Sequence, residues 1–150
     1  MKALVLRKHG TLDELAVVSD YPTPKATEGH VVIRVRAASF NYHDVFTVRG
    51  MPGIRVPLPV IIGLDMAGEI AEVGAGVQGW KTGDRVLVNP VNKRKGLMGE
   101  MLDGGMAEYC QGHARRSTAA RSAVMPGLVP GIPFCEALPV RTRWPGQARP

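Results

Sequence analysis

Two short stretches of this chain hold residue types that can act on a polar substrate: Asn41-Tyr42-His43-Asp44 and Gly63-Leu64-Asp65-Met66-Ala67-Gly68. Asn41, Tyr42 and His43 can each donate a hydrogen bond to a carbonyl oxygen on which negative charge develops, a task that needs no metal. A structural use is also open, in which Asn41 and Asp44 cap local turns and His43 is a satisfied, partly buried histidine. Both uses stand at this level. His43, Asp44 and Asp65 could be imagined as zinc ligands, but two of them are sequence neighbours that would have to converge while Leu64 crowds the site. No metal is therefore expected.

Gly74-Ala75-Gly76-Val77-Gln78-Gly79 has the spacing of a dinucleotide fingerprint. That fingerprint works only where its third glycine opens a helix facing the pyrophosphate. Here Trp80-Lys81-Thr82-Gly83 runs straight into Asp84-Arg85-Val86 and leaves no room for one. A glycine-rich hairpin loop is expected, and no cofactor site on this chain. Cys110 and Cys135 lie too far apart for a metal knuckle and read as free thiols in a reducing compartment.

The formal charge of +6 divides unevenly. Residues 1 to 111 hold 13 Lys+Arg against 12 Asp+Glu, whereas residues 112 to 150 hold 6 arginines, no lysine and 1 glutamate. The basic tail has Trp144 as its only aromatic after Phe134, so it lacks the stacking residues of a single-strand binder, and no nucleic-acid role is expected. The N-terminus shows no signal-peptide pattern, and no apolar run reaches about 18 residues, so neither a leader nor a membrane span is expected. The expectation is a cytoplasmic protein with no membrane contact.

The elements that must position these residues are short. Met1 to Leu6, Leu15 to Val18, Val31 to Ala38, Val60 to Ile62, Glu69 to Val73, Arg85 to Asn89 and Met106 to Gln111 read as strands, rich in valine and isoleucine and divided by glycine and proline. Val31, Ile33 and Val35 alternate with Arg34 and Arg36, as on a half-exposed strand. Asp44 to Arg49 reads as a single helical turn, Gly50 to Pro59 as a loop, and Pro90 to Leu102 as an irregular polar excursion. Short strands with frequent turns point to a closed or partly open β-barrel. Met98, Met101 and Met106 show no helical stripe and read as gap-fillers.

In order and spacing, these two stretches followed by Glu72-Val73-Gly74, Gly83-Asp84-Arg85-Val86 and Asp103-Gly104-Gly105 resemble the GroES-like catalytic domain of medium-chain dehydrogenases/reductases. The resemblance covers residues 1 to 111. It implies a mainly β fold, a partly open barrel with short helical turns and no Rossmann domain. In zinc-dependent members a cysteine ligand stands where this chain has Asn41, and Gly-His-Glu stands where it has Gly63-Leu64-Asp65. A leucine has no lone pair and an amide oxygen is a poor ligand, so the zinc-free, quinone-oxidoreductase-like branch is implied. The four cysteines of the family's structural zinc are missing between Pro90 and Asp103.

By resemblance, the intact protein uses NADPH or NADH to reduce a quinone, enone or aldehyde. Asn41, Tyr42 and His43 would be catalytic, and Arg49, Met51, Ile54 and Asp65 would bind the small-molecule substrate. Asp84 and Arg85 would pin a barrel turn. The isolated chain is expected to be inactive. Alternatives are a cofactor-free barrel acting as a binding module and a nonfunctional gene fragment. Residues 112 to 150, with six prolines and no periodic pattern, read as an unstructured tail. Its arginine- and proline-rich composition is what an out-of-frame reading of a high-GC gene would give.

Overall fold

Runs of valine, isoleucine and leucine cut by glycine and proline become ten short strands and one helix in the computed structural model, which describes residues 1–114 and 117–119. In chain order these are β1 (Ala3–Leu6), β2 (Leu15–Val18), β3 (His30–Ser39), α1 (Tyr42–Arg49), β4 (Val60–Ile61), β5 (Asp65–Val73), β6 (Arg85–Val88), β7 (Val91–Asn92), β8 (Gly96–Leu97), β9 (Tyr109–His113) and β10 (Ser117–Ala119). A 3-10 turn at Leu12–Glu14 precedes β2.

β3 is the axis. It pairs antiparallel with β5, from Val31↔Val73 to Ser39↔Asp65, and on its other edge with β9. The five-stranded order is β10-β6-β5-β3-β9. Val31, Ile33 and Val35 are buried while Arg34 and Arg36 reach solvent, as the alternation requires. Val32 is buried as well, so the outer face is partly covered. The register slips between Val35 and Ala37, and a Cβ on Gly68 across that slip would overlap the Arg34 carbonyl.

A second sheet has the order β2-β1-β4. Met106-Ala107-Glu108 joins the two: Leu4 N–H donates to Met106 O and Glu108 N–H to Lys2 O, while Val35 N–H donates to Glu108 O. The arrangement is mainly β and GroES-like, and the sheets do not close into a barrel among the described residues. Two apolar clusters result. One gathers Val5, Leu6, Val48, Val60, Ile61, Ile62 and Met106; the other gathers Ile33, Met66, Ile70, Val86, Met98 and Cys110. Met98 and Met106 thus fill core space, as an unbranched thioether can.

Several sequence expectations shift. The helix is two turns rather than one, because it starts at Tyr42 behind an Asn41 cap. The excursion holds a small β7–β8 hairpin, its turn tied by Asn92 Oδ1 accepting from the Arg94 and Lys95 N–H groups. The Gly74–Gly79 run is a loop between β5 and β6, with Gly74 N–H donating to His30 O and no helix after it. Asp84 closes that loop, accepting from Lys81 N–H through Oδ2.

The boundary expected at Gln111 also moves. β9 continues to His113, Val31 pairs with Gly112, Ala114 is buried, and Trp80 Nε1 donates to Ala114 O at 3.0 Å. β10 then pairs with β6, Ser117 facing Val88. Gly112 looked like a break, yet backbone pairing needs no side chain there. Residues 120 to 150, most of the tail expected to be unstructured, lie outside the described residues, as does Cys135.

Cys110 is buried with Sγ 3.4 Å from Met66 Sδ, and burial pushes its thiol up to about 12. Only thiolate attacks an electrophile. In a Cys135→Ser variant, maleimide at pH 8 should label Cys110 at least about a hundredfold more slowly in the folded chain than in denaturant. Equal rates would contradict this burial.

Candidate functional site

The loop after β3 delivers Asn41 to the start of α1 in extended geometry, which suits a helix cap. Asn41 Oδ1 accepts from His43 N–H at 3.0 Å, and Asp44 Oδ2 accepts from Asn41 N–H at 2.7 Å. This reciprocal pair satisfies donors that the first helical turn leaves open. Asp44 Oδ1 accepts from Gly63 N–H at 3.0 Å, which ties the helix start to the loop between β4 and β5. Asn41 Nδ2 then donates to Asp65 Oδ2 at 3.3 Å. Distant sequence stretches meet here because one buried carboxylate bonds two backbones.

The chemistry-bearing side chains differ in availability. Asn41 is occupied on both its oxygen and its nitrogen. Tyr42 is 70% exposed, its ring set edge-on to Phe46 with centroids 5.0 Å apart. Its hydroxyl has no bonding partner among the described residues. His43 is about three-quarters covered, and its Nε2 lies 2.7 Å from Oε2 of Glu100. Phe40, at 67% exposure, adds an apolar surface beside this group.

Not every candidate gathers here. Asp65 does, through Asn41. Arg49 sits at the far end of α1, about 12 Å along the axis from the cap, where it lines a pocket of about 300 Å³ with Gly10, Leu12, Asp13 and Val45. Met51 is partly buried and Ile54 exposed on the following loop, and no hydrogen bond or ring contact joins Arg49, Met51 or Ile54 to the helix start. Glu100 escaped the sequence reading. It lies 57 positions from His43, and its one signal is an acid in Met98-Gly99-Glu100-Met101, among residues that favour burial.

The donor set does not suit zinc. Asn41 is committed to its cap, Leu64 is buried and aliphatic, and both Asp44 oxygens hold backbone N–H groups. The Gly74–Gly79 loop leads into a strand and offers no helix N-terminus for a dinucleotide phosphate.

Burial raises the Asp44 carboxyl above its ordinary 3.8, outweighing the two backbone donors that favour its charged form. The folded state therefore holds this proton more tightly than the unfolded chain. The stabilisation Asp44 contributes is complete below about pH 3.8 and is lost as pH rises through the raised folded value. Wild type should accordingly gain stability relative to Asp44→Asn as the pH is lowered across that window. Denaturant titrations of both proteins that run parallel with pH would refute the assignment.

Residues 27–123 match the family described as alcohol dehydrogenase GroES-like domain. An acryloyl-coenzyme A reductase of Metallosphaera sedula is 41% identical over 87 residues, which is 58% of this chain and 25% of that protein. A chloroplastic NADPH-dependent alkenal/one oxidoreductase of Arabidopsis thaliana is 36% identical over 110 residues, 73% of this chain and 28% of that protein. A thermostable alcohol dehydrogenase from Pyrobaculum aerophilum superposes with a TM-score of 0.71 at 31% identity, covering 81% of this chain and 41% of that one. The chain thus spans about a quarter of the length of these curated relatives. With this architecture and a family match over most of its length, the chain belongs to the alcohol dehydrogenase GroES-like domain family of medium-chain dehydrogenases/reductases.

Proposed function

We propose that the chain supplies the substrate-binding half of a zinc-independent, NAD(P)H-dependent oxidoreductase that reduces a quinone, enone or aldehyde. One observation carries the zinc-free part: the two positions where zinc-dependent members place ligands hold a capping amide, Asn41, and a buried aliphatic side chain, Leu64. Without a metal, the substrate oxygen must be met by protein donors. Tyr42 hydroxyl and the His43 ring are the available ones, and Asn41 and Asp65 hold them in place. Relatives named for acryloyl-coenzyme A and for alkenal/one substrates support a conjugated carbonyl.

In this reading the nucleotide is held outside the described residues. Hydride transfer needs the donor carbon at near-attack distance, so the purified 150-residue chain should show no turnover above background with NADPH and a quinone. Turnover at ordinary enzymatic rates, about 1 per second or faster, would overturn the proposal.

A further inference from the structure

Buried acids are few among the described residues: Asp44 and Glu100. Asp44 is explained by the two backbone donors it satisfies. Glu100 bonds no backbone group; it meets His43 Nε2 at 2.7 Å with its own side chain 6% exposed. A carboxylate so placed needs a donor, and an imidazole proton on Nε2 would supply it.

The surrounding backbone fixes the pair. Gly99 is packed against Gly63, where a Cβ would come within 2.9 Å of the Gly63 nitrogen and oxygen. Its N–H donates to Leu102 O. Gly63 is in turn bonded to Asp44 of α1. The turn carrying Glu100 and the helix carrying His43 are therefore held to one loop.

An Nε2 proton committed to the carboxylate cannot serve a substrate. Nδ1 has no partner among the described residues, and the ring keeps 25% exposure beside the open Tyr42 and Phe46 rings. A carboxylate bound to one ring nitrogen sets the tautomer and leaves the other nitrogen to exchange protons.

We propose that Glu100 is a positioning residue that makes Nδ1 of His43 a proton relay for the oxygen of a carbonyl or quinone substrate, an inference that rests on the function proposed above. In the relay, the Nδ1–H bond of the imidazolium breaks and its electron pair stays on nitrogen. An O–H bond forms from a lone pair of the anionic substrate oxygen. The ring is left neutral, still donating from Nε2 to Glu100, and water returns the proton. Nothing is oxidised or reduced in this step.

The test uses the ¹⁵N-labelled 150-residue protein in mildly alkaline buffer, with His43→Gln to assign the ring signals. Long-range proton–nitrogen spectra should show the Nε2–H tautomer of His43 favoured by more than about tenfold, and Glu100→Gln should bring the ratio within about threefold. An Nδ1–H tautomer, or an even mixture in wild type, overturns the proposal. If the amide spectrum shows that Glu100→Gln has not folded, the wild-type ratio alone decides, in either direction.

A second arm lowers the pH until the His43 ¹⁵N shifts report the imidazolium, whose Nδ1–H can donate to a carbonyl oxygen, and then titrates cyclohex-2-enone in the millimolar range. Saturable movement of the His43 Nδ1 resonance supports the relay, with at least about threefold weaker response in Glu100→Gln. The tautomer without any response to the enone overturns the relay and the substrate reading together. A response without the tautomer overturns the role of Glu100 and leaves the substrate reading standing.

Discussion

Gly104→Ala should destabilise the chain by about 3 kcal/mol, at the upper end of ordinary overpacking costs. A Cβ at this position would press on the carbonyls of Ile62 and Gly63. Those are backbone atoms, which cannot rotate away as a flexible side chain would. The same crossing carries Gly104 N–H donating to Ile61 O and Gly105 N–H to Gly63 O, so relief by moving either strand breaks these bonds. Gly29→Ala is the matched control. Its φ of +71° strains a side chain, yet nothing lies within 4 Å, and about 1 kcal/mol is expected. Urea unfolding should show a large midpoint drop at unchanged slope for Gly104→Ala and a small one for Gly29→Ala. Equal drops would mean that the crossing at Gly63 is looser than described.

Removing the imidazole is the second large effect. His43→Ala leaves the Glu100 carboxylate buried with no other hydrogen-bond donor among the described residues, which should cost about 3 kcal/mol. Loss of packing alone from a partly exposed ring would cost less. A double variant separates the two causes. His43→Leu with Glu100→Met replaces the pair by apolar groups of similar size, and it should recover most of the loss. Denaturant midpoints of the single and double variants measure the coupling directly. Additive losses would show that the pair is not a unit.

Much of the fold follows from local pattern. The alternation of Val31, Ile33 and Val35 with Arg34 and Arg36 reports one covered face, and a period of two is enough to see it. Glycine and proline mark the loops before Val60 and after Val73, glycine because it reaches backbone shapes other residues avoid and proline because its ring fixes φ and removes an N–H donor. The helix length was less visible: the cap pairs Asn41 with Asp44 reciprocally, and that pairing depends on how the chain turns out of β3. The end near Gln111 was misplaced because β9 is held by its neighbours, Val31 against Gly112, and not by side-chain periodicity of its own.

At the site, sequence alone determined the residue types at Asn41, Tyr42, His43, Leu64 and Asp65. Those types set which ligand chemistry is on offer, since that chemistry belongs to the side chain wherever it is placed. Tertiary structure decided which groups are free to act. It commits Asn41 to a cap, leaves the Tyr42 hydroxyl open, sends Arg49 to the opposite end of α1, and sets Glu100 against His43. A hydrogen bond spanning 57 positions leaves no trace in local pattern. It exists because glycines at 63, 99, 104 and 105 let backbone segments approach more closely than any side chain would permit.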